Sequence, residues 1–79
     1  MITYNNPITQ KVFLILKPLT GEFMAQGILK TQFNHLGINQ DSLSSKDLPK
    51  LSEEIQKGLV AFIGSDAAKQ IAAKIKSIT

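Results

Sequence analysis

The amino-acid sequence predicts an all-α protein, a small four-helix bundle-like domain. Apolar residues recur at helical spacing, residues that cap helices precede the segments, and glycines follow them. The four helices are expected near residues 7–17, 20–36, 44–63 and 65–78. Because 79 residues amount to about one domain, we expect a single domain over residues 1–79, with residues 1–6 as a short N-terminal tail.

The third segment has the clearest helical signals. Ser44 is a suitable N-cap, and Asp47 three residues later completes a capping box. Pro49 removes one backbone N–H, so we expect a kink or a short 3₁₀ turn before the regular helix. Gly64 ends the helix, and the mid-helix Gly58 suggests the close approach of another backbone. The apolar stripe covers an arc of roughly 120° and consists of Leu48, Leu51, Ile55, Leu59, Phe62 and Ile63.

The first segment is the least one-sided. Asn6 and Pro7 are suited to be its N-cap and first helical residue. A strand over residues 8–16 is the alternative, because a short apolar run is compatible with both structures, but the poor alternation favours a helix. Pro18 is expected to end or bend it. Leu14 lies among polar residues, whereas the other apolar residues spread over roughly 160° of arc; they are Ile8, Val12, Phe13, Ile15 and Leu16.

The second and fourth segments have simpler patterns. Thr20 and Ser65 are the expected N-caps, Gly37 ends the second helix, and Ile38 in the following loop is expected to close the core. The second stripe consists of Ala25, Ile28, Leu29, Phe33 and Leu36, and the fourth of Ala67, Ala68, Ile71, Ile75 and Ile78. The predicted core is Phe33, Leu36, Leu48, Leu51, Ile55, Leu59, Phe62, Ile71 and Ile75.

The composition argues against several classes of protein. There is no cysteine, which excludes disulfides, and a single histidine, His35, disfavours a zinc site. No apolar run reaches the ~20 residues of a membrane span. The N-terminus lacks the basic leader of a signal peptide, so we expect a soluble, cytoplasmic protein with no membrane partner. The nine lysines, with no arginine, give a formal charge of +3.

No residue pattern indicates catalysis, and we expect no enzymatic activity, no cofactor and no bound metal. Glu53 and Glu54 fall on the solvated face of the third helix, where Glu53 and Lys57 can form an i,i+4 ion pair. Asp47 is explained by helix capping. His35 is the remaining candidate base, and a catalytic site needs a nucleophile beside such a base, or two facing carboxylates.

One stretch, residues 63–71, resembles the second half of a helix-hairpin-helix DNA-binding motif, in which Gly64, Ala68 and Ile71 occupy the matching positions. The resemblance implies backbone N–H groups presented to a phosphate, with Gly64, Ser65 and Lys69 as contact residues. Phe62 stands where the motif has its first glycine. A glycine stop followed by a serine cap explains the same residues, so sequence-independent nucleic-acid binding is the alternative function.

The apolar residues of the first segment favour a different function, protein–protein interaction. They cover more of the helix circumference than one neighbouring helix buries, and Leu14 lies in the polar sector. Burial against a second copy is a common outcome. We therefore predict a small non-catalytic interaction module that forms a homodimer or binds another protein. The predicted contact residues are Val12, Phe13, Leu14, Ile15 and Leu16.

Overall fold

The computed structural model describes residues 4–78, and within this range it contains four α-helices and no strand. The all-α prediction is confirmed, and the strand alternative for residues 8–16 is wrong. The helices are α1 (Pro7–Thr20), α2 (Glu22–Leu36), α3 (Leu48–Ile63) and α4 (Ser65–Lys76), and a 3₁₀ turn, Ser45–Asp47, precedes α3. Residues 1–3 of the expected tail, and residue 79, lie outside the described residues.

The beginnings of α1 and α3 follow the sequence signals. The Asn6 side chain accepts a hydrogen bond from the backbone N–H of Ile8 at 3.0 Å, as an N-cap does. Ser44 and Asp47 form the predicted capping box, in which the Asp47 carboxylate accepts from the Ser44 N–H at 3.0 Å. The 3₁₀ turn lies directly before α3, as expected from the missing backbone N–H of Pro49 in the first turn of that helix.

A single glycine joins α1 to α2, and another joins α3 to α4. Gly21 separates α1 from α2, Gly64 separates α3 from α4, and both have a φ of 85°. Because one residue ends one helix and starts the next, no separate cap is present. The expected N-caps were therefore wrong: Ser65 makes no capping bond, and the Thr20 hydroxyl donates to the Leu16 carbonyl at 3.1 Å.

Helix α1 also continues three residues beyond its expected end at Lys17, through Pro18. A proline inside a helix removes the N–H that would bond to the carbonyl four residues earlier, which here belongs to Leu14. Leu14 and Pro18 are both exposed to solvent, so water is the natural partner for that carbonyl. The helix ends at Gly21, whose N–H donates to the Lys17 carbonyl at 2.9 Å.

All four helices contribute to one core. Helix α3 packs mainly on α4 and also on α2, while α1 packs on α2 and on α4. The predicted core is confirmed for seven residues, which are Phe33, Leu48, Leu51, Ile55, Leu59, Ile71 and Ile75. Leu36 is only half-buried, and Phe62 is wrong, since 65% of it is exposed. Phe62 lies beside a groove in which Gly27 and Gly58 offer no side chain to cover its ring.

Helix α1 is more deeply buried than the sequence indicated. Val12, Phe13 and Leu16 are fully buried between the other helices, and the ring of Tyr4 packs edge-on against Phe13 with centroids 5.4 Å apart. This burial corrects the expectation that these three residues contact a partner, because α4 packs on α1 in addition to α2. Partial burial also raises the pKa of the Tyr4 hydroxyl.

The loop between α2 and α3 is tied to the start of α1. The buried hydroxyl of Thr9 donates to the Gln40 carbonyl at 2.7 Å, and the Asn6 side-chain amide donates to the Leu43 carbonyl at 2.7 Å. Ile38 packs on the core as predicted. The radius of gyration is 11.2 Å, close to the ~11.6 Å expected of a compact chain of this length.

Candidate protein-interaction groove

An open groove of about 690 Å³ lies between α2 and α3. Its walls come from α2 between Glu22 and Gln32 and from α3 between Ile55 and Phe62, and Gly21 in the connection before α2 also lines it. Ile55 and Leu59 from the core stripe of α3 reach its base, so the groove runs along the edge of the hydrophobic core. The residues that distinguish it from the rest of the surface are Phe23, Met24, Gly27, Gly58 and Phe62.

Two of these residues are helical glycines that the packing of the chain does not require. A Cβ atom built on Gly27 meets nothing within 4 Å, and one built on Gly58 meets only the Gln32 side-chain nitrogen at 3.9 Å. The expectation that another backbone approaches Gly58 was therefore wrong within this chain. A glycine inside a helix costs about 1 kcal/mol relative to alanine. Both of these destabilising glycines line the same groove.

Large apolar side chains stand at the rims of the groove. Phe23 is 91% exposed and Phe62 is 65% exposed, and Met24 beside them is also exposed. Single exposed apolar residues are ordinary, but a contiguous apolar patch marks an interaction surface. Sequence reasoning did not select Phe23. Its position outside the α2 stripe, directly after the first residue of the helix, was the available signal.

The groove carries little charge. Among the described residues, Glu22 is the only ionisable one that lines it, and the other polar groups come from Thr20, Thr31 and Gln32. Such a surface, apolar at the centre with a few polar groups, matches the composition of the buried part of protein interfaces.

Charged residues begin beyond one end of the groove. There His35, Glu54 and Lys57 surround a smaller recess that shares Thr31, Gln32 and Gly58 with the groove. The Glu54 carboxylate lies 3.9 Å from His35 Nε2 and 3.9 Å from Lys57 Nζ. The predicted Glu53–Lys57 pair is present as well, at 3.6 Å. These polar and charged side chains are suited to form a polar rim around an apolar centre.

The predicted contact residues of α1 do not form one surface with the groove. Leu14 is 45% exposed and Ile15 is half-buried, but neither lines it. Their three neighbours in the expected set lie in the core. The exposed apolar surface that the sequence led us to expect is present, but its main part lies on α2 and α3.

The residues expected to contact nucleic acid lie at the connection between α3 and α4. The Gly64 N–H donates to the Val60 carbonyl at 3.0 Å, so this donor is used within the chain. Ser65 and Lys69 are exposed, and so is Asp66 in the first turn of α4. A phosphate bound at this helix start would approach the Asp66 carboxylate, which opposes the attraction of the helix dipole.

Metal-binding groups do not come together in the part of the chain that the structure describes. His35 is exposed, with Glu54 as its acidic neighbour. Among residues 4–78, no three histidine, aspartate or glutamate side chains converge as metal ligands would. None of the described helices combines the length and apolar character needed to cross a membrane.

No protein-family model matches the chain, and no curated protein or solved structure is significantly similar to it. In the groove between α2 and α3, large apolar side chains are exposed, charged residues are few, and two glycines lower the stability of their helices. Packing within the chain does not require these features.

Proposed function

We propose that this protein is a small, non-catalytic helical module for protein–protein interaction, and that it binds its partner through the groove between α2 and α3. The observation that carries the proposal is the pair Gly27 and Gly58. Both lie inside helices, both line the same groove, and neither is needed for packing within the chain. An incoming surface can therefore pack directly against the backbone of both helices. The cytoplasmic location expected from the sequence remains part of the proposal.

The shape of the groove favours a protein over a small molecule. Binding pockets for small ligands enclose most of the ligand surface. Here the groove is open along its length, and the ring of Phe23 is almost wholly in water at the rim. A ring in this position gains little from a ligand that lies at the base of the groove. It is buried well by a broad partner that covers the rim, and aromatic anchors of this kind are frequent hot spots of protein interfaces.

Photochemical crosslinking in the cells that produce the protein tests this proposal. A photoreactive phenylalanine derivative replaces Phe23 in one variant and Leu14 in the matched control. Both positions are exposed and apolar, but only Phe23 lines the groove. We expect a discrete protein adduct from position 23 and little or none from position 14, with the composition of the adduct determined by mass spectrometry.

Two results would contradict the proposal. If position 23 gives no protein adduct, the groove is not a protein-binding surface. If positions 14 and 23 give the same adducts in the same yield, the reaction reports general exposure of apolar side chains and not a specific contact.

A further inference from the structure

We propose that the occupant of the groove is a second copy of the same chain. The two copies dock about a two-fold axis, so that the exposed rings of each pack into the recess that Gly27 and Gly58 leave in the other. This inference rests on the function proposed above and adds the identity of the partner and the mode of docking.

The first argument is that the surface is complementary to itself. In a two-fold dimer the same patch appears on both sides, so the patch must contain both protruding and recessed parts. This groove has both. Phe23 and Phe62 protrude at the rims, and the two glycines leave a recess between them. The patch therefore meets the geometric requirement for binding a copy of the same chain about a two-fold axis.

The second argument concerns charge. The chain carries a formal charge of +3, so two copies repel each other unless their lysines stay away from the contact. None of the nine lysines lines the groove, and Glu22 is the only ionisable residue among the described residues that line it. Two copies can therefore meet here without bringing their lysines together at the centre of the contact. An acidic partner would instead be expected to bind where lysines surround the site.

The third argument concerns area. A specific interface buries about 800 Å² on each partner, which is roughly one sixth of the 4796 Å² accessible surface of this chain. With about 200 Å² for a phenylalanine side chain, the exposed fractions of Phe23 and Phe62 supply roughly 300 Å². These two rings thus supply roughly a third of the area of such an interface, and Met24 and the walls of the groove supply further area.

The test is the solution mass of the purified full chain, measured by light scattering from low to high micromolar concentration. We expect the mass of the wild type to rise from 8.7 kDa towards twice that value. Phe23→Ser removes a protruding ring, and Gly58→Leu fills the recess. Each should raise the dimer dissociation constant by about tenfold or more, as the loss of an interface hot spot does.

Leu14→Lys is the matched control. Leu14 is also an exposed apolar residue, but it lies outside the groove, so its replacement should leave the dissociation constant unchanged. Circular dichroism establishes that each variant is folded. The two groove variants change different helices: Phe23→Ser truncates a side chain, and Gly58→Leu adds one. If one of them fails to fold, the dissociation constant of the other still tests the inference.

Three outcomes overturn the inference. A wild type that stays monomeric throughout overturns it, and if position 23 still forms an adduct with another protein in cells, the proposed function stands with a different partner. A wild-type dimer that both groove variants leave intact places the contact elsewhere. A dimer that Leu14→Lys dissociates places the contact on α1.

Discussion

The Asn6 side chain joins two parts of the fold that are distant in sequence. Its oxygen caps α1 through the Ile8 N–H at 3.0 Å, and its nitrogen donates to the Leu43 carbonyl at 2.7 Å. The first bond is predictable from the sequence because it spans two residues. The second connects residues 37 positions apart, and only the tertiary structure places them together. Asn therefore makes both bonds, whereas another good N-cap residue such as Ser can cap the helix but cannot also reach the Leu43 carbonyl.

This double role gives a prediction at the residue scale. Asn6→Ser keeps a capping oxygen but is too short to reach Leu43, so it should lower the free energy of unfolding by about 1 kcal/mol, the worth of one hydrogen bond. Asn6→Ala loses both bonds, and a loss of about 2 kcal/mol is expected. Urea unfolding measures both values. Equal losses for Ser and Ala would mean that capping by the side chain contributes nothing.

At the scale of secondary-structure elements, two classes of glycine serve opposite purposes. Gly21 and Gly64 have positive φ and connect consecutive helices without any further residue. Gly27 and Gly58 lie inside helices with room for a side chain. The first class is required for the fold, because other residues rarely adopt this backbone conformation. The second class weakens its helices, which fits a surface kept for binding at some cost in stability.

The two classes should respond to the same substitution with opposite signs. Gly27→Ala adds a methyl group in open space and should raise the free energy of unfolding by up to about 1 kcal/mol. Gly64→Ala forces alanine to a φ of 85° and should lower it by about 1–3 kcal/mol. Both are measured by urea unfolding at low micromolar concentration, where the monomer dominates. Destabilisation by Gly27→Ala would show that this glycine is needed for folding after all.

For the molecule as a whole, the sequence predicted what depends on local spacing and missed what depends on how the helices meet. The capping box of Ser44 and the apolar stripe of α3 involve residues within a few turns, so both were predictable. The stripe shows which face of a helix is apolar, but not whether a neighbouring helix covers it along its full length. Phe62 was for this reason assigned to the core, although no neighbour covers its ring.

The groove itself was beyond sequence reasoning for the same physical cause. Gly27 and Gly58 are 31 positions apart, and neither is unusual alone. They form a recess only because the fold places them on helices that face each other. The wide apolar arc of α1 was read correctly as more than one helix can bury. The extra burial comes from α4 in the same chain, which packs on α1 together with α2.

The position of α1 in the common core gives the prediction that tests the packing of the whole molecule. Leu16 is fully buried, whereas the nearby Leu14 is 45% exposed, so the two leucines lie on the buried face and the exposed face of the same helix. Leu16→Ala should lower the free energy of unfolding by about 2–5 kcal/mol, as truncation of a buried leucine does. Leu14→Ala should change it by less than about 0.5 kcal/mol, as is usual for surface positions.

Urea unfolding of the full chain at low micromolar concentration measures both. Because a domain this small has only a modest total stability, Leu16→Ala is expected to leave part of the population unfolded even without denaturant. A small loss for Leu16→Ala, comparable with that for Leu14→Ala, would mean that α1 is not held in the core by the other three helices. The apolar surface of α1 would then again be available to a partner, in addition to the groove between α2 and α3.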